Sequence, residues 1–203
     1  MKFKDSEGIY DPQKIAKLKL LSTDCRKKWR DYLEDHFQIA EEIWFVFPIT
    51  ETEEKSLSYN DAVEEALCFG WIDSVNIRLD ESHCARRFSP RKKGSSYSQP
   101  NIERLIWLDQ HEMIHPKIRD AVLPLLETPF VYPDDILDAI RQDEEAWKNY
   151  QCFTEPYKRI RIAYIEAARK RPEEFQKRLA SFIDKTRKGK LIKGYGGIEK
   201  YYL

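Results

Sequence analysis

The sequence predicts an α+β protein, a small and largely antiparallel β-sheet packed with helices and followed by a C-terminal helical module. Three observations carry this. Residues 42–50, EIWFVFPIT, form a β-branched and aromatic run too short for a helix. Trp71–Leu79 alternates between two faces, and the chain returns as Cys84–Ser89 after an Asp80-Glu81-Ser82 turn. Beyond Pro133, apolar residues recur three and four positions apart through three stretches, the spacing of helices with one buried face. With 203 residues the chain can bury about 70% of its unfolded surface.

Taken in order, residues 1–21 begin polar and read as an extended lead-in or a short helix. Ser22-Thr23-Asp24 caps a helix to about His36, with Cys25, Trp29, Tyr32, Leu33 and His36 on one face. The strand at 42–50 ends at Pro48, and ETEEKS follows as a surface loop. Ser58, with Asp61 three residues on, starts a helix whose stripe is Ala62, Val63, Ala66 and Leu67. Gly70 suits the left-handed position that stops it. In the hairpin, Trp71, Asp73, Val75, Ile77 and Leu79 should share one face. Ser98 or Gln99 opens a helix with Pro100 in its first turn, ending before Pro116. Another helix covers 116–126. The proline-bounded segment Thr128–Pro133 divides the chain into a core domain, 1–127, and a helical module, 128–203. In that module helices are expected at 134–149, 156–170 and 172–186, before a glycine-broken tail.

Composition narrows the function classes. Lysine plus arginine equals aspartate plus glutamate at 35 each, so the whole chain has no net pull toward nucleic acid or an anionic membrane. Charge is nonetheless segregated. Residues 83–101 hold five basic groups and no acid, 128–155 hold seven acids against two bases, and 156–193 hold thirteen bases against four acids. The four cysteines, Cys25, Cys68, Cys84 and Cys152, show no C-x-x-C spacing. Cys68 and Cys152, among apolar or aromatic neighbours, read as small hydrophobes. No signal-peptide run or membrane-spanning stretch is evident, so a reduced, cytoplasmic location is expected.

The stretch 66–101 gathers the least ordinary residue choices. Ala66-Leu67-Cys68-Phe69-Gly70-Trp71-Ile72-Asp73-Ser74, then Phe88-Ser89-Pro90-Arg91 and Ser96-Tyr97-Ser98-x-x-Asn101, resemble signature blocks of the YdeI/OmpD-associated bacterial family. The resemblance runs from about Trp29 to Val122, and the helices after Pro133 are similar to that family's C-terminal module. The chain departs from the pattern at Tyr97, where tryptophan is usual, and at Arg169-Lys170-Arg171-Pro172, which interrupts one continuous helix. The resemblance implies a non-enzymatic protein of bacteriocin or antimicrobial-peptide tolerance.

Three constellations could carry chemistry. His111-Glu112-Met113-Ile114-His115 spells the zinc-hydrolase pattern H-E-x-x-H, which needs both histidines on one helix face and a third ligand such as Asp134. Pro116 directly after His115 opposes that helix, so a fortuitous match is expected. Cys68 with His83 and Cys84 could supply zinc ligands or a nucleophilic pair, but the spacing provides no fourth ligand and neither cysteine opens a helix. The basic loop is the stronger candidate. Arg86, Arg87, Arg91 and Lys92, with Ser96 and a helix start at Ser98–Asn101, set fixed donors beside free N–H groups, a plausible anion site. Asp73 is expected to pair with Arg87 or Arg91. The expected ligand set is therefore Asp73, Arg86, Arg87, Arg91, Lys92, Ser96, Ser98 and Asn101. It would take a small anionic ligand or a protein partner, with no cofactor and no metal. A rival reading makes this loop and the basic helices a nucleic-acid surface, tested by steep salt dependence.

Overall fold

The computed structural model describes residues 11–49, 55–194 and 199–202. The readings of the first ten residues, of the acidic loop at 51–54 and of tail residues 195–198 fall outside them. The fold is α+β. Its elements are α1 (Pro12–Ile15), β1 (Leu20–Leu21), α2 (Arg26–His36), β2 (Ile43–Pro48), α3 (Tyr59–Cys68), β3 (Trp71–Arg78) and β4 (His83–Pro90). Then come α4 (Gln99–Gln110), α5 (Pro116–Leu126), α6 (Asp134–Arg141), α7 (Glu144–Cys152), α8 (Glu155–Glu166), α9 (Pro172–Arg187) and a 3-10 turn, Glu199–Tyr202. The chain divides into two compact units: Met1–Ser96 with Leu108–Leu123, and Tyr97–Trp107 with Pro124–Leu203.

In the first unit the sheet runs β1-β2-β4-β3. The β3–β4 hairpin and the β2–β4 pair are antiparallel, with Phe45 opposite Arg86 and Ala85 opposite both Val46 and Ile77. The lead-in adds a feature that the lysine-rich sequence hid. Leu20 and Leu21 pair in parallel with Trp44 and Phe45. One sheet face is covered by α2 and α3. Trp29 meets Phe45 and Phe88 edge-on with ring centroids 5.2 and 5.6 Å apart. Its indole N–H donates to the Ala62 carbonyl at 3.0 Å, and that of Trp71 to the Phe37 carbonyl at 3.1 Å. Both large rings are thus buried with their polar handles satisfied. On the other face Trp44, Ile77 and Ala85 form a smaller cluster, with Leu18 and Leu79 against it.

The alternation read over 71–79 is broken by a bulge. Asp73 lies opposite Phe88 and Asn76 opposite Arg86, so Ser74 and Val75 together face a single residue of β4. Side chains alternate along a strand, and one extra residue reverses every position after it. Asp73 and Asn76 therefore share the helix-covered face, Ile77 turns to the other, and Val75 is left 49% exposed.

Helix α3 starts and stops as its sequence dictates. Ser58 Oγ accepts from the Asp61 amide at 3.0 Å and donates to the Asp61 carboxylate at 2.7 Å. At the far end Gly70 has φ +72°, and a Cβ there would come within 2.9 Å of Ile118 Cδ1. Left-handed geometry costs an alanine about 1–2 kcal/mol, and Ile118 must also shift. Gly70→Ala is therefore expected to lower stability by about that much in urea unfolding. An unchanged midpoint would show that the backbone relaxes freely there.

In the second unit the core is helical, built from Ile136, Ile140, Tyr150, Tyr157, Ile160, Ile165, Phe175 and Phe182 among others. The helix expected over 134–149 is two. Asp143 interrupts it and caps α7, its carboxylate accepting from the Ala146 amide at 2.9 Å. A carboxylate held by backbone N–H groups favours a new helix start over continuation. Helix α4 ends at Gln110, before Pro116 as expected. Cys152 is exposed, not packed as a small hydrophobe.

Candidate functional site

The hairpin sends adjacent arginines to opposite sides, because neighbouring strand residues face opposite ways. Arg86 points to the helix-covered face, where its Nη1 donates to Asp73 Oδ2 at 2.8 Å. Tyr59 Oη donates to the same oxygen at 2.8 Å, and the Arg86 guanidinium lies 4.6 Å from the Tyr59 ring centroid. Asp73 thus pairs with Arg86 rather than with Arg87 or Arg91, because its partner Phe88 lies two residues from Arg86 on the same face of β4. The buried Oδ1 of Asn76, on the residue opposite Arg86, has no hydrogen-bond partner among the described residues. Arg87 lies on the opposite face and bonds Glu42, which also accepts from the Trp44 indole N–H at 2.9 Å. The Trp44 N–H, with Arg87 beside it, holds the Glu42 carboxyl below the usual carboxylate range against the cost of its burial.

Past the strand, the Arg91 amide donates to the Gly70 carbonyl at 3.0 Å, tying the loop base to the helix stop. The Arg91 guanidinium donates to the Ser96 carbonyl at 2.7 Å and to Ser95 Oγ at 3.3 Å. Ser95 closes the turn through its amide and hydroxyl, both bonded to the Lys92 carbonyl at 3.1 and 2.8 Å. Gly94 takes φ +79° with open space around it. Lys92, Lys93, Ser95 and Ser96 are exposed. Ser98 and Asn101 belong to the second unit. There the Ser98 carbonyl accepts from the amides of Asn101 and Ile102 at 2.9 and 3.0 Å, and Asn101 Oδ1 accepts from Arg104 at 2.9 Å. The structure thus joins Asp73 to Arg86 and Arg91 to Ser96, and it separates Arg86 from Arg87.

The geometry separates the members of the reactive constellations. His111-Glu112 is a turn after α4, with Glu112 at φ +56°, and α5 begins at Pro116. The two histidines share no helix face, so the H-E-x-x-H spacing loses its meaning. His115 packs its ring against Phe37 and Phe69 at 4.8 and 5.6 Å, and its Nδ1 accepts from the Lys117 amide at 3.3 Å. Burial pushes the Cys68 thiol up to about 12 and raises that of Cys84, so neither supplies a thiolate near neutrality. His83 turns to Asp80 at 3.1 Å. Among the described residues no group of three or more His, Cys, Asp or Glu side chains is placed to hold a metal ion.

Sequence reasoning missed a buried ionic network. Arg26 bonds Asp61 at 2.7 Å and lies 3.0 Å from Glu64, and it also meets Glu65, which Arg30 holds at 2.8 Å. Glu64 and Glu65 are 0% and 1% exposed. The signal was the spacing. Arg26 and Arg30 stand four apart on α2, and Asp61, Glu64 and Glu65 three and four apart on α3, as complementary faces do. Several cations of the C-terminal helices are also paired with acids. Lys158 pairs with Glu155, Arg159 with Glu103, Arg169 with Asp135 and Glu166, Arg178 with Glu174, Arg187 with Asp143 and Lys188 with Asp184. Four of these acids, Glu155, Glu103, Asp135 and Asp143, lie outside 156–193 and offset part of the excess positive charge counted there.

Residues 129–189 match the family described as Bacteriocin-protection, YdeI or OmpD-Associated. Residues 21–121 match a domain of unknown function, DUF8412. The blocks quoted from 66–101 therefore lie within the second match, and the helices after Pro133 carry the first. No curated protein and no solved structure matches the chain.

Proposed function

We propose, from the premise that this chain carries a domain of the YdeI or OmpD-associated, bacteriocin-protection family, that it is a non-enzymatic tolerance protein. It binds an anionic group of a small ligand or protein partner through the loop Arg91–Ser96. One observation carries the reading. Arg91 spends its guanidinium on Ser95 and Ser96, which fixes a tight turn and leaves Lys92 and Lys93 exposed side by side. A turn braced from within holds its charges at little entropic cost on binding. The four unpaired cysteines fit action in the cytoplasm. Among the described residues, no helix is long and apolar enough to cross a membrane.

The test is calorimetric titration of inorganic tripolyphosphate into the full chain and into a Lys92→Ala, Lys93→Ala variant. Exposed lysines contribute little to folding, so the thermal midpoint should hold while affinity falls about tenfold, or 1.4 kcal/mol. Equal affinities, or no binding by the unaltered chain, would remove the loop from the function. Bacteria producing each form, challenged with a cationic antimicrobial peptide, should separate in survival in the same order.

A further inference from the structure

In the helical unit the chain does not end with α9. It turns at Gly189, φ +63°, and a non-helical segment returns to α8. The family match stops at residue 189, so this segment lies beyond it. Two side chains of α8 meet the segment through its main chain. Tyr157 Oη accepts from the Ile192 amide at 2.9 Å, and Arg161 Nη2 donates to the Ile192 carbonyl and to the Gly194 carbonyl, the latter at 3.1 Å. Tyr157 and Arg161 stand four residues apart, on one face of the helix. They are 1% and 3% exposed, and the guanidinium carbon lies 5.4 Å from the Tyr157 ring centroid.

Both amide groups flanking Ile192 are therefore read by buried side chains, independently of residue type. The side-chain requirements are few. Ile192 packs against the helical core, and Gly194 sits at φ +85°, which favours glycine. A further anchor follows, with Tyr201 buried 5.7 Å from the Trp107 ring centroid and Lys200 Nζ 4.5 Å above Trp107. A face that reads main-chain N–H and C=O groups and takes one apolar residue and one glycine has the attributes of a peptide-recognition groove.

We propose that the Tyr157/Arg161 face of α8 is a peptide-binding groove for an apolar-x-Gly segment, which the chain's own Ile192–Gly194 occupies in cis. The segment is then an intrinsic competitor, and an external peptide of that pattern binds when it is released. This surface lies in the second unit and rests on no part of the basic-loop reading.

The experiment uses the full chain and a labelled peptide, KGKLIKGYGG, copied from residues 188–197. Ile192→Asp with Gly194→Ala should release the segment, seen as faster hydrogen exchange in 190–194 with the exchange of α8 and α9 retained. The unaltered chain should bind the peptide weakly, and the released variant at least tenfold more tightly. Adding Tyr157→Phe, which deletes the hydroxyl that accepts from the Ile192 amide, should take back most of that gain. A released chain that stays folded yet ignores the peptide overturns the proposal. Binding that Tyr157→Phe leaves unchanged overturns it too. If release itself unfolds the unit, a protease site placed after Lys190 supplies the second measurement. The severed segment must remain bound and exchange with labelled peptide, and failure to exchange means it is core rather than occupant.

Discussion

Replacing Arg26 by methionine should cost about 3–5 kcal/mol, because it leaves buried carboxylates without their principal cation. Arg26 holds Asp61, Glu64 and Glu65 from one guanidinium, and the last two are closed off from water. Arg30 still serves Glu65, and Asn60 still donates to Glu64 at 2.7 Å, but neither replaces the lost charge between α2 and α3. At about 2–4 °C per kcal/mol for a chain of this size, the thermal midpoint should fall by roughly 10 °C. Adding Glu64→Gln should recover part of the loss, since the second change removes the stranded charge and the two residues touch. A single-variant loss below about 1 kcal/mol would mean that water reaches the network, as it does at surface ion pairs.

Arg159→Met should act similarly in the helical unit. Glu103 on α4 is buried, and Arg159 on α8 grips it with two parallel bonds, Nε at 2.7 Å and Nη2 at 2.8 Å. Such fork-to-fork pairs are strong and geometrically demanding. Gln99 donates to the same carboxylate at 2.8 Å but carries no charge to offset it. The single change is expected to cost about 3–5 kcal/mol, whereas Glu103→Leu with Arg159→Met should be close to neutral, because removing both charges also removes their desolvation penalty. Equal losses in the single and double variants, measured by chemical unfolding, would assign the effect to packing instead.

What the sequence determined by itself was local. The Ser58 cap with Asp61, the Gly70 stop, the helix from Pro116 to Leu126 and the Ile43–Pro48 strand each follow from residues within a few positions of one another. Steric limits on φ, a side chain's reach to the next amide and the alternation of apolar residues act at that range. The basic loop was legible for the same reason, since five cations without an acid is a property of the string.

Only the tertiary structure decided which of those cations remain available. Arg86 and Arg87 are adjacent in sequence and opposite in space, and a single bulge at Ser74-Val75 lets Asn76 join Asp73 on the face of Arg86. Glu42 claims Arg87 from forty-five positions away, and Glu103 claims Arg159 from fifty-six. Nor could spacing place Leu20-Leu21 beside Trp44-Phe45, or bring Ile192 back onto Tyr157. Burial and charge pairing are set by partners that folding brings together. A sequence lists which charges exist, and the packed chain alone decides which are spent.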